Sequence, residues 1–173
     1  MNINRTASAN LKWEPPALTS PHTSYVMQAE QTLATIHTSW PASRGAEITI
    51  GNERLQIRPA TTLLKNGFIL TDLHGNILGT FTPDSTLFLP HGTFATPEDG
   101  DYRLSGGQLA DWAWSGKQGD VVSYNISKNP RLLKQPTLNI RISIDDAPAT
   151  RITMLLGVFL ITTFAHPFAG GST

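Results

Sequence analysis

The chain of 173 residues is long enough for one domain with a sizeable core. Thirteen Lys and Arg balance thirteen Asp and Glu, so there is no global field to attract nucleic acid, and no nucleic-acid partner is expected. With no Cys, disulfides, thiolate nucleophiles and Cys-ligated metal sites are excluded.

Residues 1–21 are polar and carry Pro15, Pro16 and Pro21. They read as a flexible N-terminal arm in which Leu11-Lys12-Trp13 docks as a short strand. The arm has no apolar stretch of the secretory-signal kind, so the expected location is cytoplasmic, with any membrane association peripheral. Residues 22–168 read as a single domain and 169–173 as a tail. The Gly and Pro residues are scattered through the chain, which signals many turns and favours strands over helices.

The first pair of strands is expected at Tyr25 to Ala29 and Thr32 to Thr38, around Glu30-Gln31. Ala46 to Ile50 and Arg54 to Arg58 flank Gly51-Asn52-Glu53. In the second of these, Leu55 and Ile57 alternate with Arg54, Gln56 and Arg58, so one face is apolar. Phe68 to Asp72 and Ile77 to Phe81 form a hairpin about Leu73-His74-Gly75-Asn76, where Gly75 and Asn76 tolerate the positive φ of a tight turn. Turn clusters then delimit Thr86 to Leu89, Thr93 to Ala95, Asp101 to Leu104, Gln108 to Ser115 and Val121 to Ile126. Trp112 and Trp114 are two apart and share a face. The last strand is the best patterned: Leu138, Ile140, Ile142 and Ile144 alternate with Asn139, Arg141 and Ser143.

Asp145-Asp146-Ala147-Pro148 stops that strand and can start a helix, because an Asp N-cap accepts orphan N–H groups and Pro suits the first turn. The helix is expected over about 148–165, ending before Pro167. Its run Ile152 to Ala165 has no charge and only three Thr as polar residues. A helix lying on one side of a sheet carries a polar stripe; this one has none and must be enclosed. As a helix the run spans about 21 Å, short of the roughly 30 Å hydrocarbon core. Burial by protein is therefore expected. The fold expected is all-β with one helix: a closed antiparallel β-barrel of about 10–12 short strands around a buried hydrophobic C-terminal α-helix. The rival reading is a tail-anchored membrane protein with Ile152 to about Phe168 in lipid and a cytoplasmic β domain.

The order of elements resembles the tubby C-terminal-like superfamily, which includes LURP-one-related proteins and scramblase-like barrels. The hairpin Ser24-Tyr25-Val26-Met27 with Thr32-Leu33-Ala34-Thr35-Ile36, the strand–turn–strand Phe68 to Phe81, and the terminal Arg151 to Ile161 carry the resemblance. It implies a non-enzymatic barrel, with phosphoinositide or membrane binding in some members. The scramblase Cys-rich and calcium-binding segments are missing here, and the tubby phosphoinositide-binding residues have no counterparts that can be placed.

Catalytic patterns are sparse. No two of His22, His37, His74, His91 and His166 stand at metal-pair spacing, and Glu98-Asp99-Gly100-Asp101 lacks the spaced ligands of a calcium loop, so His74 and His91, each before a Gly, and the acidic stretch read as solvated turns. Gly106-Gly107-Gln108 matches the tripeptide of peptide-release factors without supporting context. No nucleophile elbow or phosphate loop is present, and no cofactor or metal is expected. Trp112 and Trp114 read as core packing before ligand stacking. After Trp112 the bases Lys117, Lys128, Arg131, Lys134 and Arg141 outnumber the acids and are the candidate residues for lipid headgroups. The expected function is a non-catalytic binding or scaffold domain, with an anionic phospholipid surface or another protein as partner. A third reading, an enzyme or small-ligand binder, places its site at a barrel mouth.

Overall fold

The computed structural model describes residues 10–41, 44–61, 66–85, 90–107, 111–127, 137–143 and 148–165. Twelve strands precede one helix among them: β1 (Asn10–Glu14), β2 (Thr23–Gln28), β3 (Gln31–Thr38), β4 (Ala46–Ile50), β5 (Glu53–Thr61), β6 (Asn66–Asp72), β7 (Ile77–Pro83), β8 (Gly92–Thr96), β9 (Gly100–Gly106), β10 (Trp112–Gly116), β11 (Gly119–Ser127), β12 (Thr137–Ile142) and α1 (Pro148–Phe164). Each strand pairs antiparallel with the next in sequence, and β1 pairs with β12 to close the barrel. Closure leaves no edge strand to be protected.

Period-two patterning sets which side chains turn inward. In β12, Leu138 and Ile140 are buried while Asn139 and Arg141 are exposed. The register then joins inward residues to inward residues: Trp13 faces Val26 on one side and Leu138 on the other, and Ile36 faces Ile48. From β7 to β10 the wall is tiled differently. Gly79, Gly92 and Gly106 lie under aromatic rings, where an added Cβ would stand 2.3 Å from Phe94 Cζ, 2.6 Å from Phe81 Cζ and 2.5 Å from Trp112 Cδ2.

The helix runs inside this barrel. Met154 to Ile161 are buried without interruption, and at about 100° per residue such a run covers every face of a helix. On one side Leu11, Leu33, Ala34 and Ile50 of the wall line a small cavity together with Met154 and Leu155 of the helix. The Phe159 ring packs edge-on against Phe68 of β6, with centroids 5.4 Å apart. Gly157 approaches Trp114 and Tyr124 of β10 and β11. A barrel this wide is not filled by its wall side chains alone, and a helix about 10–12 Å across occupies the lumen. The helical Thr residues are tolerated there because their hydroxyls donate back to the helix: Thr153 to Ala149 O and Thr150 O, both 2.9 Å, and Thr162 to Val158 O, 2.7 Å.

The short strand expected at Leu11-Lys12-Trp13 is present as Asn10–Glu14, but it closes the barrel, which therefore begins at Asn10 and not at residue 22, because its inward Leu11 and Trp13 fill the place between β2 and β12. The tail-anchor reading fails because the apolar run is enclosed by protein; among the described residues no helix is long and apolar enough to cross a membrane. The first hairpin also turns one residue early, at Ala29-Glu30, with Ala29 at φ 53°. The expected strand Thr86 to Leu89, the Asp145-Asp146 cap, Ile144 and His166 lie outside the described residues.

Alternation of direction sorts the connections onto two ends. The hairpin end carries the short turns β2–β3, β4–β5, β6–β7, β8–β9 and β10–β11, together with the start of α1. The loop end carries the longer β1–β2 and β3–β4 connections and the end of α1.

Candidate binding surfaces

At the hairpin end a cavity of about 20 Å³ lies between the barrel wall and the first turns of α1, and among the described residues Arg151 is its only polar lining side chain. A barrel-mouth site for a small ligand finds no polar cluster there. Deeper in, the Tyr124 hydroxyl donates to the helix carbonyls of Met154 at 2.8 Å and, more weakly, Thr153 at 3.3 Å. Burial pushes its pKa well above the ordinary tyrosine value, opposed only by the nearby Trp114 indole. That indole lies outside good hydrogen-bond geometry, so the contact is weak. Trp112 and Trp114 are core residues, 3 % and 0 % exposed.

The histidine and acidic turns have local structural roles. Asp72 accepts bonds from the backbone N–H groups of His74 (2.8 Å) and Asn76 (2.9 Å) and from Asn76 Nδ2 (2.7 Å). The Asn76 side chain leads in holding this carboxyl below its ordinary pKa. In the β8–β9 turn, Thr96 Oγ1 accepts from Asp99 N–H and donates to Gly100 O. His91 lies against Trp112 with centroids 4.8 Å apart. No group of three or more metal-capable side chains comes together among the described residues.

Of the five candidate cations, Lys128, Arg131 and Lys134 lie outside the described residues, and the two described ones, Lys117 and Arg141, stand apart. Lys117 is at the hairpin end, in the β10–β11 turn. Its side chain reaches over Gly100, with Nζ 3.8 Å from where a Cβ there would stand, beside Glu98, Asp99 and Asp101. Arg141 stands on the outer wall between Asn10 of β1 and Ser123 of β11.

Two surface features escape the sequence reading. An open groove of about 510 Å³ crosses the outer wall where β1, β12 and β11 meet, and Asn10, Asp111, Ser123, Asn125, Asn139 and Arg141 supply its polar side chains. The alternation in β12 marks Asn139 and Arg141 as outward, but nothing in the sequence says which strand lies beside them. The second feature is at the loop end. Leu18 is 102 % exposed and Trp40 66 %, on connections tied together by Thr38 N–H donating to His22 O (2.8 Å) and by the His22 and Trp40 rings, 6.0 Å apart. The hairpin end presents Glu30, Glu53, Glu98, Asp99, Asp101 and Asp120, all exposed, and the loop end presents exposed Glu14, Asp84 and Asp111.

Comparison with protein-family models, curated proteins and solved structures returns no match, so the likeness to the tubby-like superfamily rests on the order of elements alone.

Proposed function

We propose that this protein is a non-catalytic, tubby-like binding domain that meets an anionic membrane surface with its loop end. The observation that supports this is that Leu18 and Trp40 stand exposed on two connections at the same end of the barrel. An indole with one apolar face and one polar N–H suits the headgroup boundary. Seating Leu18 and the Trp40 ring there contributes about 3 kcal/mol, roughly a hundredfold in partitioning. Each base near an anionic leaflet adds about 1 kcal/mol. Of the expected bases, Lys117 and Arg141 stand outside this contact.

The test is co-sedimentation with phosphatidylcholine vesicles, with and without phosphatidylserine, at low and high salt. Binding should need the anionic lipid, weaken with salt and fall strongly in Leu18→Ser/Trp40→Ala. Lys117→Ala should bind as the parent does. Absence of vesicle binding, or binding indifferent to the loop-end pair, overturns the reading.

A further inference from the structure

We infer that the groove across β1, β12 and β11 is a binding site for a polyhydroxylated ligand of the saccharide class. Three strands and the segment before β10 build it, and the register arranges its side chains in two rows. Asn10, Arg141 and Ser123 are successive cross-strand neighbours in the first row; Asn139 and Asn125 face each other in the second, with Asp111 beyond. Leu11, Tyr124 and Ile140 also line the groove, but their side chains are buried in the barrel, so they offer backbone. At about 510 Å³ the space lies within the range of small-molecule sites.

The chemistry of the lining selects the ligand. Asn125 Nδ2 donates to Asp111 Oδ1 at 2.6 Å. Among the described residues no other side-chain hydrogen bond or ion pair engages the lining groups: Asn10, Ser123, Asn139 and Arg141 keep their full capacity. Asn and Ser offer both donors and acceptors, Asp only acceptors and Arg only donors. A ring bearing several hydroxyls, each both donor and acceptor, matches that mixture. A multiply charged anion does not, because the one guanidinium is balanced by the one carboxylate. A metal ion would find a single carboxylate, and an apolar ligand no exposed apolar side chain. A free amino acid would use Asp111 and Arg141 but leave the Asn amides unmatched. With no aromatic face in the lining, affinity in the millimolar range is expected. The site stands on the wall and does not depend on the membrane reading.

The experiment is a titration of the full chain, followed by its backbone amide resonances, with D-glucose, D-galactose, N-acetylglucosamine and D-glucuronate, and with glycine and inorganic phosphate as controls. Saturable shifts confined to residues 10–12, 123–125 and 139–141 with at least one saccharide support the site. Asn139→Ala, at an exposed position that leaves the melting temperature unchanged, should weaken that binding about tenfold. D-glucuronate binding that is lost in Arg141→Ala would add that the guanidinium takes a carboxylated sugar. Saturable shifts located elsewhere, shifts of equal size with glycine or phosphate, no saturable shift with any saccharide, or unchanged binding in a folded Asn139→Ala overturns the proposal.

Discussion

Replacing Gly157 by Ala tests the central packing claim, because the general rule for helices predicts the opposite sign. In an unhindered helix interior, Gly→Ala stabilises by about 1 kcal/mol. Here the new Cβ would stand 2.1 Å from Tyr124 Oη, 2.4 Å from Trp114 Nε1 and 2.6 Å from Tyr124 Cζ. Those atoms belong to side chains that are 0 % exposed, so the aromatic pair has nowhere to withdraw to without moving the wall. Overpacking of this kind costs about 1–3 kcal/mol. Displacing the Tyr124 hydroxyl from the Met154 and Thr153 carbonyls costs about 1–2 kcal/mol more. After the propensity gain, the net is a loss of about 1–4 kcal/mol, or roughly 4–8 °C in melting temperature for a loss near 2 kcal/mol. Urea unfolding followed by tryptophan fluorescence measures it. A cycle with Tyr124→Phe sharpens it: removing the hydroxyl removes the shortest contact, so the double variant should lose less than the sum of the singles. Equal or greater stability in Gly157→Ala, or strict additivity with Tyr124→Phe, would refute a helix seated against β10 and β11.

The other predictions follow from the same interior and from one turn. Leu156→Asp should abolish folding, since it places an unpaired charge within the barrel; recovery of a stable folded protein would contradict the enclosed helix. Tyr124→Phe alone should cost about 1–2 kcal/mol by denaturant titration. Because the folded-state pKa of Tyr124 is raised above its unfolded value of about 10.0, its contribution is complete below that value and is lost as pH rises toward the folded one. In an ultraviolet titration this tyrosine should ionise only as the chain unfolds. Asp72 is the reverse case. Its folded pKa lies below 3.8, so its support of the β6–β7 turn is present above that value and is lost as pH falls through the folded one. Carbon-detected titration should place its midpoint below 3.8 and show the Asn76 amide shifting with it.

The strand reading came from local physics. Alternation identified the apolar face of β5 and the inward Leu138 and Ile140 of β12, the turn Gly51-Asn52-Glu53 marked the end of β4, and Gly75 marked the β6–β7 turn, where its φ is 84°. The helix was legible for a different reason. A charge-free run too short for a bilayer and lacking a polar stripe has to be enclosed by protein. Residue chemistry also showed what to doubt: isolated histidines and the Glu98 to Asp101 turn carried no ligand spacing, and the structure assigns the histidine turns and that acidic turn local roles.

What the tertiary structure decided is everything that depends on neighbours distant in sequence. Asn10–Glu14 is a wall strand because β12 arrives beside it after the whole barrel has been traced, and no local pattern of five residues announces such closure. The five bases that follow Trp112 looked like one patch along the chain. Antiparallel alternation instead puts Lys117 at a hairpin tip and Arg141 on the wall. The outer groove joins Asn10 to Arg141, which only barrel closure makes neighbours. Sequence periodicity determines which way a side chain faces; only the register of long-range pairing determines what it faces.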